Sequence, residues 1–86
     1  TLLSEFSSRL GSETLNVRIY KERGSFVCER ELVERDGTSF TMVLPFRKAE
    51  SIRALLAADP HYARMRLAAI RALAKVERAA RVPHGK

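Results

Sequence analysis

The chain of 86 residues has one cysteine, three prolines and four glycines. Cys28 alone cannot close an intramolecular disulfide, and His61 and His84 are too far from it in sequence to form a zinc-ligand spacing. Neither a structural metal nor a cofactor is expected. Gly11, Gly24, Gly37 and Gly85 stand alone, each at a turn or an end, which excludes a glycine-rich phosphate loop. The longest stretch without charge runs only from Gly37 to Phe46, far below the roughly 20 apolar residues of a membrane-spanning helix. The N-terminus lacks a basic region followed by an apolar core and a small-residue cleavage site. With no spanning segment and no leader pattern a cytoplasmic location is the expectation, and the start at Thr1 without methionine leaves room for a leader already removed.

The hydrophobic content is 45%, but 11 of those side chains are alanines, so the interior must be thin. One core fits in this length, giving a single α+β domain over residues 1–82 and a frayed tail over 83–86. Dimerisation would be a natural source of extra stability. The net charge of +6 is uneven: residues 1–44 sum to −1 and residues 45–86 to +7. An excess gathered in one region attracts polyanions or an acidic protein surface better than a diffuse one.

Leu2, Leu3, Phe6 and Leu10 have the spacing of a helical face and are followed by Gly11, so a short N-terminal helix is predicted. Leu15, Val17 and Ile19 alternate with Asn16, Arg18 and Tyr20, which gives a half-buried strand over Thr14–Lys21. Short turns at Glu22–Gly24 and Asp36–Gly37, the latter suited to type I′, lead into strands over Ser25–Glu34 and Thr38–Leu44. The three strands form an antiparallel meander, with Phe40, Met42 and Leu44 on the core face. Arg30 shares the face of Phe26, Cys28 and Leu32. An edge position or a bulge between Cys28 and Leu32 is expected to carry it away from the core, in preference to a covered pairing with a carboxylate. Pro45 is expected to close the strand region.

Ala49, Ile52, Leu55 and Leu56 mark a helix from about Arg47 to Ala58. Asp59 and Pro60 then read as an N-cap and first helical residue of a longer helix reaching Arg81. The predicted order is α-βββ-αα, with the long last helix on one face of the sheet. On a wheel at 100° per residue, Tyr62, Met65, Ala69, Ala72, Leu73, Val76 and Ala80 gather on one side as the core stripe. Arg64, Arg71, Lys75 and Arg78 gather on the opposite side.

That cationic stripe is the candidate binding surface, for nucleic acid or an acidic protein. The helix lacks a recognition motif and aromatic platforms among its cations, and Glu29 and Glu31 make the outward sheet face a poor phosphate surface. No small-molecule substrate is evident. No catalytic set stands out. Asp59 is expected to be spent on capping and His61 to sit partly exposed in the first helical turn, rather than the two forming an acid/base pair. Cys28 is expected to be a small buried hydrophobe rather than a nucleophile. The expectation is a non-catalytic module that binds a polyanion. The alternative is a protein-interaction or homodimerisation domain using the alanine-rich helix, a strand edge or the outward-facing Val27, Val33 and Val43. An amphipathic membrane-surface helix ranks last, because the alanine-dominated face inserts weakly.

Overall fold

A computed structural model describes residues 1–81. The expected tail at 83–86, with His84, lies outside the described residues. The elements are β1 (Leu2–Leu10), β2 (Glu13–Glu22), β3 (Ser25–Val33), β4 (Ser39–Phe46), α1 (Ala49–Ala57) and α2 (Tyr62–Arg81). The strands form one antiparallel sheet in the order β1-β2-β3-β4, and both helices contribute to the core on one face. The molecule is therefore α+β with a four-stranded sheet.

The first segment is a strand, not the predicted helix. Its apolar spacing is compatible with either element, but a register shift between Leu2 and Ser4 lets both Leu3 and Phe6 pack against the core. Three serines and no alanine also remove the helical propensity that would have held the alternative. The Gly11-Ser12 connection joins β1 to β2 with Gly11 at φ +63°, the left-handed first position of a II′ hairpin. Asp36-Gly37 is a turn but not type I′, because only Gly37 has positive φ. Its amide donates to the Glu34 carbonyl at 3.0 Å, and Asp36 Oδ1 accepts from the Thr38 amide at 2.9 Å. The hydrogen bond of the Thr38 side chain, followed by that backbone bond, holds the exposed Asp36 carboxyl below its ordinary pKa.

The β2–β3 and β3–β4 ladders run without a register shift, so no bulge removes Arg30 from the helix-side face. It stays there because a carboxylate from the α1–α2 turn meets it. Pro45 does not end the strand: it pairs with Val27 inside β4, and Phe46 continues the ladder and stacks on Phe26 with centroids 5.4 Å apart. β4 is an edge strand, and a proline whose missing N–H would face outward costs the inner ladder nothing.

Leu15, Val17, Ile19, Phe26, Cys28 and Phe46 form the sheet's share of the core. Ala49, Ile52 and Leu56 of α1 and Met65, Ala69, Ala72, Leu73 and Val76 of α2 close over it. Tyr62 is half-buried, and Ala80, expected in that stripe, is exposed. α2 lies along β1, and its Ala79 carbonyl accepts a bond from Lys21 Nζ at 3.3 Å. α1 lies toward β4 but its nine residues span only about 14 Å, against about 27 Å for the eight of β4. Leu44 is partly covered, whereas Phe40 is 62% exposed and Met42 47% exposed. Those two share the helix-side face as predicted, but Met42 only borders an open cleft with Leu55 and Ala58 at the end of α1, and Phe40 lies beyond it.

Burial pushes the Cys28 thiol up to about 11, against the pull of the nearby Arg30 charge. The neutral thiol is then favoured in the folded state, so its stabilising share is complete below the unfolded pKa of about 8.5 and is lost as pH rises toward 11. Iodoacetamide at pH 8 is expected to label Cys28 in denaturant within minutes and to leave the folded protein unlabelled over hours. Rapid labelling of the folded protein would contradict the buried position.

Candidate functional site

Two polar clusters and one charged ridge need a functional account. The first cluster joins the α1–α2 turn to the sheet. α2 starts at Tyr62 rather than at the expected Pro60, and Asp59 closes the turn that leads into it: its Oδ1 accepts from the backbone amide of His61 at 2.9 Å and its carbonyl from the amide of Tyr62 at 2.9 Å. Asp59 Oδ2 accepts from Arg30 Nε at 2.6 Å and meets the Arg30 Nη2 at 2.5 Å. Arg30 is therefore paired and partly covered, with its apolar stem left on the core face.

His61 is not the partly exposed residue expected. It is 1% exposed, with Nδ1 3.1 Å from Ser8 Oγ and Nε2 2.8 Å from Glu13 Oε1. The composition resembles a Ser-His-Glu set, but the imidazole is inserted between the first hairpin and α2, and the Ser8 hydroxyl is buried with it. Both ring nitrogens are used, and no buried side-chain polar atom among the described residues lacks a partner. The cluster holds α2 on the β1–β2 hairpin. Asp59 does not pair with the imidazole.

The second cluster is on the opposite face of the sheet. Arg18 meets Glu5 at 2.8 Å, Glu29 at 3.0 Å and Glu31 at 3.5 Å, while Asn16 Nδ2 donates to Glu31 at 3.2 Å. The hydrogen bond to Glu5, followed by that to Glu29, raises the guanidinium pKa still further. Three carboxylates around one cation leave this face acidic. Val27, Val33 and Val43 do face outward here, but they are not one strip. Val27 and Val43 lie near each other across the β3–β4 ladder, while Glu29 and Glu31 separate Val27 from Val33 along β3.

The ridge is on α2. Arg64, Arg71, Lys75 and Arg78 are all exposed, and none makes an ion pair among the described residues. The nearest acidic residue on the helix, Glu77, is directed instead to Arg53 of α1 at 3.8 Å. From Arg64 to Arg78 the ridge is about 21 Å long. Leu67 and Ile70, not singled out from sequence, are 67% and 47% exposed beside it. With Ala63 and Ala74 they recur at intervals of four, three and four residues, the spacing of a helix-packing seam, and that interval was readable in the sequence.

Among the described residues no group of three or more His, Cys, Asp or Glu side chains could hold a metal, and no helix is long and apolar enough to cross a membrane. The chain matches no protein-family model, no curated protein and no solved structure.

Removing the Asp59 carboxylate strands the Arg30 charge and uncaps α2. In urea denaturation Asp59→Ala is expected to cost about 3 kcal/mol, and Asp59→Asn less because it keeps the capping acceptor. A loss below about 0.5 kcal/mol for the alanine variant would show that the turn is held by something else.

Proposed function

We propose that this chain is a small non-catalytic binding module that takes a polyanion, nucleic acid in the first place, through Arg64, Arg71, Lys75 and Arg78 on the outer face of α2. The observation that carries this reading is the contrast in how charges are used. Glu5, Glu29 and Glu31 are committed to Arg18, Asp59 to Arg30 and Glu13 to His61, while the four α2 cations face water without a partner among the described residues. A linear anion laid along the helix meets cations on successive turns and releases the counterions condensed on it. The acidic outer sheet face repels such a ligand and orients it toward α2.

A second reading has one observation in its favour. Leu67 and Ile70 are exposed next to the cations, and a phosphate chain gives them no apolar cover. An acidic polypeptide with its own apolar side chains would engage both features, as amphipathic helices do in grooves. Contact between the α2 faces of two copies is disfavoured, since it would bring the same arginines together.

Fluorescence anisotropy with labelled DNA, RNA and an acidic amphipathic peptide at two ionic strengths tests both readings. For duplex DNA the log–log salt slope is expected near −3.6 for about four contacts, and the double variant Arg71→Ala/Lys75→Ala should reduce its magnitude by about 2. Leu67→Ser should weaken only the peptide. Absence of binding by every ligand at low salt would remove the proposal.

A further inference from the structure

The strand at the open edge of the sheet, β4, has the sequence Ser-Phe-Thr-Met-Val-Leu-Pro-Phe and no charged residue. It lies within the longest uncharged stretch of a chain in which 30% of residues are charged. The opposite edge, β1, carries Glu5 and Arg9 and lies beside α2. Exposed edges are normally protected from pairing by charges, proline, coverage or shortness; β4 carries Pro45 near its end and none of these from Thr41 to Val43. Phe40 (62%), Met42 (47%) and Val43 (57%) account for three of the six exposed large hydrophobic side chains among the described residues.

The ladder geometry says which backbone groups are free. Glu34 N donates to Thr38 O at 2.8 Å, so the pair Val33–Ser39 is of the non-bonded type, and the types alternate from there along β4. Leu44, Met42 and Phe40 therefore direct their N–H and C=O groups toward β3. Ser39, Thr41 and Val43 direct theirs outward, and so does the carbonyl of Pro45. The position of Pro45, whose missing donor falls on the outward side, agrees with this phase.

We infer that β4 is the pairing edge of a homodimer, in which two copies join antiparallel through Thr41 and Val43 into a continuous eight-stranded sheet. The occupant is a second copy for three reasons. An antiparallel strand pair is self-complementary under a two-fold axis, so the same uncharged edge serves both partners. The axis places the Phe46 end of one β4 beside the Ser39 end of the other, which sets the two Met42 side chains together and brings each copy's exposed Phe40 beside its partner's Leu44, toward the α1 end of that strand. The charge distribution also permits it: β4 is neutral, and the two α2 ridges lie toward the outer limits of the combined sheet, so a chain of net charge +6 can self-associate there without opposing its own arginines. Pairing uses up the β4 edge in each copy, and Glu5 and Arg9 protect the remaining β1 edges, so the assembly closes at two. None of this depends on the α2 cations, and it stands or falls separately from polyanion binding.

Sedimentation equilibrium on the full chain across a concentration series, at low and high salt, provides the test. A dimer at both salts is expected. Val43→Pro removes one outward donor and no bond to β3, and should give a monomer with an unchanged circular dichroism spectrum. Val43→Lys should do the same by placing like charges at the joint, and it decides the matter if the proline variant does not fold. Arg71→Glu, on α2, should leave the dimer intact. A wild-type monomer at all concentrations, a dimer that survives both Val43 variants, loss of the dimer in a folded Arg71→Glu protein, or an open-ended assembly that dissolves in salt would each overturn the inference.

Discussion

One carboxylate fixes the geometry on which everything else rests. Asp59 closes the turn into α2 with one oxygen and holds Arg30 of β3 with the other, so the direction of the long helix and its seat on the sheet are set at the same point. His61, two residues on, then fills the space between α2 and the first hairpin. An arginine on the helix-side face would be costly if unpaired, and a turn between helices would be loose if unanchored. Each supplies what the other lacks. With α2 held in this way, its helical phase alone determines that Met65, Ala69, Ala72, Leu73 and Val76 face the sheet and that Arg64, Arg71, Lys75 and Arg78 do not.

The same arrangement divides the molecule electrically. The outer sheet face gathers three carboxylates about Arg18, the helical face presents cations, and the thin core separates the two. Under the proposed function, such polarity would orient an anionic ligand before contact and direct it to a single face. The neutral β4 edge belongs to neither face. The two proposed surfaces, one electrostatic and one built from backbone hydrogen bonds and apolar side chains, therefore share no residues.

The sequence reading succeeds where the deciding interactions are local. β2 and β3, both helices and the cationic stripe follow from periodicity and turn residues, because a helical phase or a strand alternation needs no distant information. It fails where a partner far along the chain decides. Ser8 is a polar residue on the buried face of β1, which obscures the strand pattern, and it is tolerated there because His61, 53 residues later, reaches it. Arg30 suggests a bulge until Asp59, 29 residues later, is placed beside it. Phe40 and Met42 are assigned to the correct face, yet their exposure depends on how far α1 extends, which strand alternation cannot report.

The packing of α2 against β1 sets the first strand of the chain beneath its last described helix. A ribosome releases β1 long before α2 exists to cover it, so Leu3, Phe6 and Leu15 have no helical roof while the nascent polypeptide is still tethered. Closing that contact brings together segments some 60 residues apart, whereas every strand pairing in the sheet joins neighbours in the chain. Completion of the interior must therefore wait until α2 has left the exit tunnel.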